Sequence, residues 1–252
     1  MNNKQFYNQY NYPNLKYLGK THTTLMKKIL SFANLTIPDL KDKDVLDAGC
    51  GTGDKSIFSA LQGANVTSID LSSGQLQKAK ENAAANNVKI RILEMDILNP
   101  DFKKLGKFDY IFCLGVLHHT KNAKKGFENL CKLLKPNGII IIALYHKYAR
   151  LKYRIIRALL RIFVSKDPEK LISFLFSKNI FAQILNTVTK ETIYDRYAVP
   201  FESYHTLREA RKWFKQKKII EMAHSENVNG FEPFKIFEKK TLFFISGKKS
   251  RK

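Results

Sequence analysis

The chain has 252 residues, which suits one domain with an insertion better than two full domains. Its hydrophobic fraction of 44% is that of a folded protein, and no apolar stretch reaches the roughly 18–20 residues of a membrane span. The first residues lack the apolar run of a secretory signal. Three scattered cysteines, Cys50, Cys113 and Cys131, predict unpaired thiols in a reducing, cytoplasmic compartment rather than a disulfide framework or a metal site.

The formal net charge of +22 is high, and the excess of Lys and Arg is denser in the second part of the chain. One interpretation is a surface for nucleic acid or an anionic membrane. The other, which we favour, is a composition bias, because the chain is rich in Lys, Asn and Ile. The charge alone leaves both open.

The N-terminal segment is polar and aromatic, and residues 22–34 have the apolar spacing of an amphipathic helix. From 44 to 145, short apolar runs alternate with helical patterns. The runs are Val45-Leu46, 66–69, 90–93, 110–114 and 139–144, and the helical patterns are 54–62, 72–87 and 122–135. This alternation predicts βαβ units in a doubly wound, mostly parallel α/β sheet.

The alternation stops at residue 146, and the next sixty residues have helical patterns only. A helix at 206–216 and strands at 218–222 and 241–246 then bring the sheet to seven strands. The chain therefore divides into an N-terminal segment (1–40), an α/β core (41–146), a helical insertion (147–205) and a final helix and strands with a basic tail (206–252).

The most informative segment is the first strand and the loop that follows it, Asp47-Ala-Gly-Cys-Gly-Thr-Gly53. Glycine lets the backbone turn sharply and lets a ligand approach without meeting a Cβ atom. The helix after the loop offers free N–H groups and the positive end of its dipole. The next two strands end at Asp70 and near Asp96, so acidic residues collect at one edge of the sheet, where open parallel sheets bind ligands.

This segment resembles the first motif of the class I S-adenosylmethionine (SAM)-dependent methyltransferases. The resemblance covers residues 44–146 well and the last strands loosely. It implies that Asp47 faces the SAM amino group, Asp70 the ribose hydroxyls and Asp96 the adenine amino group, with the Ile97 N–H on the ring. The full set of SAM-binding residues that it implies is Asp47, Gly49, Cys50, Gly51, Gly53, Asp70, Leu71, Asp96, Ile97 and Leu114.

A dinucleotide-binding loop is the rival interpretation of the glycines. Its Gly-x-Gly-x-x-Gly fingerprint needs Gly or Ala at position 54, where this chain has Asp54. SAM is therefore the expected cofactor.

The resemblance implies a methyltransferase. The sequence after the fourth strand disfavours some classes of methyl acceptor. An Asn/Asp-Pro-Pro-Tyr/Phe motif for exocyclic amines and a Pro-Cys nucleophile for cytosine are both absent there. The segment 114–119, which ends in two histidines, looks more like family members acting on small or lipid-like molecules. Two alternatives stay open: an RNA or tRNA methyltransferase that uses the basic second part, and a non-catalytic SAM-binding regulatory subunit.

Three residues are candidate catalytic residues that contact the acceptor. They are His119 after the fourth strand, Tyr145 at the end of the fifth, and His205 near the end of the insertion. A histidine can act as base when the acceptor's proton must leave. The competing interpretation of the segment around His205 is a helix cap led by Thr206. The N-terminal tyrosines Tyr7, Tyr10, Tyr12 and Tyr17 are expected in a lid.

The start of the insertion is a basic amphipathic helix. Arg150, Arg154, Arg157 and Arg161 fall on one face and Leu151, Ile155, Leu159 and Ile162 on another. We expect the apolar face to pack on the domain and the basic face to be solvated. A basic helix of this kind also suits an anionic lipid surface or phosphate groups, and the sequence does not separate these uses.

Overall fold

The computed structural model describes residues 1–9, 20–177, 197–225 and 241–250. Its strands form one seven-stranded sheet. In chain order they are β1 (Asp44–Ala48), β2 (Asn65–Asp70), β3 (Arg91–Glu94), β4 (Phe108–Leu114), β5 (Leu134–Tyr145), β6 (Ile219–His224) and β7 (Leu242–Lys249).

The spatial order of the strands is β3-β2-β1-β4-β5-β7-β6. The first five strands pair in parallel, whereas β7 is antiparallel to both β5 and β6. The strand order reverses beside β1, and the carboxyl ends of β1 and β4 open a crevice there. The predicted doubly wound α/β fold is confirmed.

The described helices are α1 (Asn3–Gln9), α2 (Lys20–Ser31), α3 (Asp54–Leu61), α4 (Ser73–Ala85), α5 (Phe102–Leu105), α6 (Ala123–Lys132), α7 (Leu151–Phe163), α8 (Pro168–Ser177) and α9 (Leu207–Gln216). On one face of the sheet lie α6 and α9, and on the other lie α2 and α3. Thr206 caps α9 in a capping box with Glu209, which is the cap that the sequence suggested. None of the described helices has the length and apolarity needed to cross a bilayer.

Two apolar layers hold the sheet between the helices. Phe127 of α6 stacks on Phe214 of α9 on one face, while Met26 and Leu30 of α2 pack with Phe58 on the other. Each such side chain contributes about 1.5–3 kcal/mol when it is fully buried. The isoleucines of β5 are covered on both faces, which explains why its sequence has no polar alternation.

The expected orientation of α7 is wrong. Arg150 and Arg157 are buried and both pair with the buried carboxylate of Glu202, whereas Ile155 and Ile162 are exposed. Arg161 donates to the carbonyl oxygen of Val199. The basic face turns inward because a carboxylate and backbone carbonyl groups of the segment before α9 pair with the guanidinium groups there.

The helix α1 was not foreseen as an element, and it packs across the edge of the sheet that carries the crevice. Phe6 is 1% exposed and belongs to an apolar cluster with Ile172 of α8, Ala198 and Val199. Gln9 donates to Glu169 on α8. The insertion and the N-terminal helix therefore hold each other in place.

Candidate active site

A cavity of about 450 Å³ opens at the carboxyl ends of β1, β2 and β4. Its volume lies within the usual range of small-molecule pockets. Of the thirteen residues predicted from the sequence as SAM-binding or catalytic, ten line this cavity. They are Gly49, Cys50, Gly51, Asp70, Leu71, Asp96, Ile97, Leu114, His119 and Tyr145.

The glycine loop forms the floor of this cavity. Gly49, Gly51 and Gly53 have φ angles of +79°, +55° and +85°, a region that residues with a Cβ atom rarely adopt. A Cβ atom on Gly49 would lie 2.3 Å from a methyl carbon of Val116. The loop therefore needs glycine at position 49 both for its backbone angle and for lack of space.

Asp70 is tied to the loop at the tip of β2. Its two carboxylate oxygens accept from the N–H groups of Gly51 (3.0 Å) and Ser72 (2.9 Å). Burial raises the pKa of Asp70, although these N–H groups oppose the shift. Each oxygen keeps lone pairs that can accept further hydrogen bonds from a ligand.

Asp96 stands two residues beyond the end of β3, on the same side of the cavity. It is half-buried and accepts from the N–H of Leu98 (2.8 Å), while Ile97 is buried beside it. The aspartates 70 and 96 thus lie in one wall of the cavity, as the strand ends predicted.

Asp47 and Gly53 do not line the cavity; they lie under it. Ser56 donates to the buried Asp47 carboxylate at 2.7 Å, and Ser68 donates in turn to Ser56. Burial raises the pKa of Asp47 to about 6. Gly53 is the N-cap residue of α3, and a Cβ atom there would lie 3.1 Å from that of Ala79, so glycine allows α3 to pack closely on α4.

Lys55 is a cavity residue that the motif did not point to. It follows Asp54 in the first turn of α3, and its ammonium group lies 2.9 Å from that carboxylate. Burial alone would lower the pKa of Lys55, but Asp54 and Asp47 raise it well above its usual range. Lys55 therefore places a fixed cation in the cavity beside the carboxylate of Asp54.

Aromatic and imidazole rings form the other end of the cavity. The His118 ring stacks on Tyr145 at 3.6 Å between centroids and is fully buried, and its Nδ1 accepts from the Tyr145 N–H. His119 is half-buried and faces the cavity, with the edges of Tyr7 and Tyr145 near its ring. His118 therefore supports the end of β5, whereas His119 lines the cavity.

His205 is not among the described residues that line the cavity. Its Nε2 lies 2.9 Å from Ser203 Oγ, its ring packs edge-on against Trp213, and its backbone bridges to Tyr145 and Lys147. Burial lowers the pKa of His205. His205 therefore links the end of β5 to the start of α9.

The helix α1 closes one side of the cavity, and sequence reasoning missed two of its three lining residues. Asn3 donates to the carbonyl groups of His119 (2.7 Å) and Phe201 (2.9 Å), and Lys4 pairs with Glu94. Tyr7 was expected in a lid and lines the cavity, while Tyr10, Tyr12 and Tyr17 lie outside the described residues. No motif marks these positions, since their partners are far away in sequence.

A family described as a methyltransferase domain matches residues 39–169, which is about half of the chain. The matched segment contains the glycine loop and the carboxyl ends of the five parallel strands.

The chain belongs to the class I SAM-dependent methyltransferases.

A ubiquinone biosynthesis O-methyltransferase of Rickettsia canadensis (strain McKiel) is 32% identical over 205 residues, which are 80% of this chain and 75% of the relative. The corresponding protein of Rickettsia bellii (strain OSU 85-389) is 32% identical over 165 residues, covering 65% of this chain and 66% of that relative, just under two thirds. A magnesium protoporphyrin IX methyltransferase of Synechocystis PCC 6803 with bound S-adenosylhomocysteine (SAH) has a TM-score of 0.65 at 15% identity. That match covers 98% of this chain and 97% of the other, and it supports the fold.

This methyltransferase uses SAM as its methyl donor. The residues present fit that molecule, because the cavity is lined by the carboxylates of Asp54, Asp70 and Asp96, which can pair with ammonium and hydroxyl groups, and by Lys55, whose cation can pair with a carboxylate.

Proposed function

We propose that this methyltransferase transfers the methyl group of SAM to an oxygen atom of a small, largely apolar aromatic acceptor. The observation that carries the proposal is the ring-lined end of the cavity, where Tyr7, His119 and Tyr145 stand beside Leu242. The rings of Tyr7 and His119 can pack against an aromatic molecule, and Tyr145 can offer its ring edge, since His118 and Arg150 cover its two faces. The ubiquinone-biosynthesis names of the Rickettsia relatives agree with an acceptor of this class.

We assign the donor's parts to the cavity as follows. Asp70 and Leu71 would hold the ribose hydroxyls, Asp96 and Ile97 the adenine, and Lys55 the methionine carboxylate, and all five line the cavity. The loop from Gly49 to Gly51, with Cys50 and Leu114, would hold the methionine chain. The buried charge of Asp47 acts through space on the ammonium group.

His119 is the base in this proposal. Its Nδ1 lies 3.4 Å from the Phe201 carbonyl oxygen, which can only accept a hydrogen bond. With its proton on Nδ1, the imidazole of His119 carries its basic lone pair on Nε2. A phenolic O–H gives its proton to this Nε2 while the oxygen forms its bond to the methyl carbon. The C–S bond breaks and its electron pair stays on sulfur, so neutral SAH leaves.

The rest of the chemistry is positioning. A sulfonium already activates the methyl group, so the protein's main task is to hold the acceptor oxygen in line with the C–S bond. Tyr145 supports the acceptor from the end of β5, and the Arg150 guanidinium lies 3.5 Å from the centre of the Tyr145 ring. The buried Glu202 holds that arginine, so the orientation of this wall is fixed before any ligand arrives.

Label transfer tests the proposal. Purified protein and methyl-labelled SAM are incubated with simple alkyl-substituted catechols, and separately with total tRNA and with protein from the source cells. We expect label in the catechols. Label confined to tRNA would replace the proposal with the RNA methyltransferase alternative, and SAH binding without label in any fraction would favour the regulatory subunit.

A variant pair separates the base from general binding. His119→Gln should lower kcat on a catechol by about 10²–10⁴-fold, because the base is lost, while SAH affinity stays within about twofold. His224→Gln is the control, since His224 lies on β6 and pairs with Glu221 away from the cavity. Equal turnover in wild type and His119→Gln would remove His119 from the mechanism.

A further inference from the structure

One side chain of the N-terminal helix joins two distant backbone segments beside His119. The Asn3 carboxamide donates to the carbonyl oxygens of His119 (2.7 Å) and Phe201 (2.9 Å), and its Oδ1 accepts from the Phe201 N–H (2.9 Å). The amide therefore uses both of its donor hydrogens and one acceptor position on residues that are 82 positions apart in the sequence.

The carbonyl group that Asn3 holds is also the partner of the His119 ring. His119 Nδ1 lies 3.4 Å from the Phe201 oxygen, and this contact is a hydrogen bond only when Nδ1 carries the proton. The distance is longer than that of a typical N–H···O bond, so the bond is weak and depends on how closely the two segments are held. Because Asn3 binds both the N–H and the carbonyl group of Phe201, it fixes the direction in which that carbonyl points.

Ser203 makes a second link between the same two segments. Its N–H and its hydroxyl group donate to the carbonyl oxygen of His118 at 2.7 Å and 3.1 Å. This link does not involve Asn3, so it should keep the segments together when Asn3 is replaced. The loss of Asn3 should therefore change the geometry at the His119 ring rather than the fold.

We propose that Asn3 is a positioning residue for His119. It holds the Phe201 carbonyl oxygen against Nδ1, which keeps the proton on Nδ1 and the basic lone pair on Nε2. This assignment rests on the proposed role of His119 as the base, and Asn3 itself takes no proton. Since Asn3 belongs to α1, the base has its active tautomer only while α1 is docked on the cavity, which couples closure of the cavity to proton transfer.

NMR of the ligand-free protein labelled with ¹⁵N-histidine tests the tautomer directly, at a pH where the imidazole is neutral. The spectrum of His119→Gln identifies the His119 signals by their loss. We expect the proton on Nδ1 in the wild type and a mixture of the two tautomers in Asn3→Ala. A proton on Nε2 in the wild type would overturn the proposal, and so would the same tautomer in wild type and Asn3→Ala.

Turnover of a catechol, with both substrates saturating, is the second readout. Asn3→Ala should lower kcat by about 10–100-fold, because a base that is misplaced or in the wrong tautomer works poorly. SAH affinity, measured by calorimetry, should stay within about twofold. The matched control is Gln9→Ala, which removes the bond from α1 to Glu169 and leaves the His119 contacts intact. That variant should change neither the tautomer nor kcat.

Two kinetic results would also overturn the proposal. An equal loss of kcat in Asn3→Ala and Gln9→Ala would mean that Asn3 only fastens α1, and weaker SAH binding with unchanged kcat would make Asn3 a residue of the donor site. If Asn3→Ala does not fold, Asn3→Leu replaces it, since leucine keeps the volume and removes all three hydrogen bonds. If the wild type does not methylate catechols, the proposed function fails, whereas the tautomer measurement still decides the role of Asn3.

Discussion

Replacing Asp47 by Asn is expected to stabilise the ligand-free protein at neutral pH. Burial raises the pKa of Asp47 from 3.8 to about 6, against the opposing effects of Lys55 and Ser56. Each pKa unit is worth about 1.4 kcal/mol, so the ionised carboxylate costs the folded state roughly 3 kcal/mol at pH 7.5. Asn keeps the shape and can still accept from Ser56 while it removes the charge.

The sign of the pH dependence follows from the direction of that shift. The folded state binds the Asp47 proton more tightly than the unfolded state, so the wild type loses stability as pH rises from 3.8 to about 6. Above that range the cost is constant. The advantage of Asp47→Asn should therefore be roughly 3 kcal/mol at pH 7.5 and roughly half of that at pH 5.

Urea unfolding of both proteins at the two pH values is the assay, with SAH titrations alongside. The variant should bind SAH more weakly at pH 7.5, because the ligand's ammonium group loses a nearby negative charge. The wild type should also lose SAH affinity as pH falls below about 6, while the variant does not. A variant less stable than the wild type at both pH values would refute the assignment of a charge-burial cost.

Two further predictions concern a glycine and a buried ion group. Gly49→Ala should abolish SAH binding and should lower the melting temperature more than Gly106→Ala does. Both glycines have φ of +79°, but only a Cβ atom at position 49 would collide with Val116. Equal melting temperatures of the two variants would contradict this. Glu202→Gln should cost about 3–5 kcal/mol in urea unfolding, because two buried guanidinium groups lose their carboxylate, whereas Glu221→Gln at an exposed pair should cost no more than about 1 kcal/mol.

The fold and the donor half of the cavity were accessible from the sequence because their signals are local. Apolar runs at the right spacing gave the five parallel strands. The turn that follows each strand brought Gly51, Asp70 and Asp96 to one edge by the geometry of parallel sheets. Nothing beyond neighbouring residues was needed for these predictions.

The rest depends on contacts between residues far apart in sequence. Arg150 turns inward because it pairs with Glu202, which lies 52 residues later in the sequence. The sequence pattern of α7 alone does not indicate that partner. Asn3 reaches His119 across 116 residues. The aromatic and polar residues around His205 in the sequence predict a role at the acceptor. In the structure, however, the His205 side chain contacts Ser203 and the Trp213 ring.

The position of β7 between β5 and β6 affects how this protein is made. All strands of the parallel half leave the ribosome before residues 242–249, so the isoleucine-rich β5 has one unpaired edge while synthesis continues. An open, apolar strand edge is a template for joining a second nascent chain. Expression yield should therefore depend on how quickly the last strand follows β5, and slow codons between them would favour aggregates over folded enzyme.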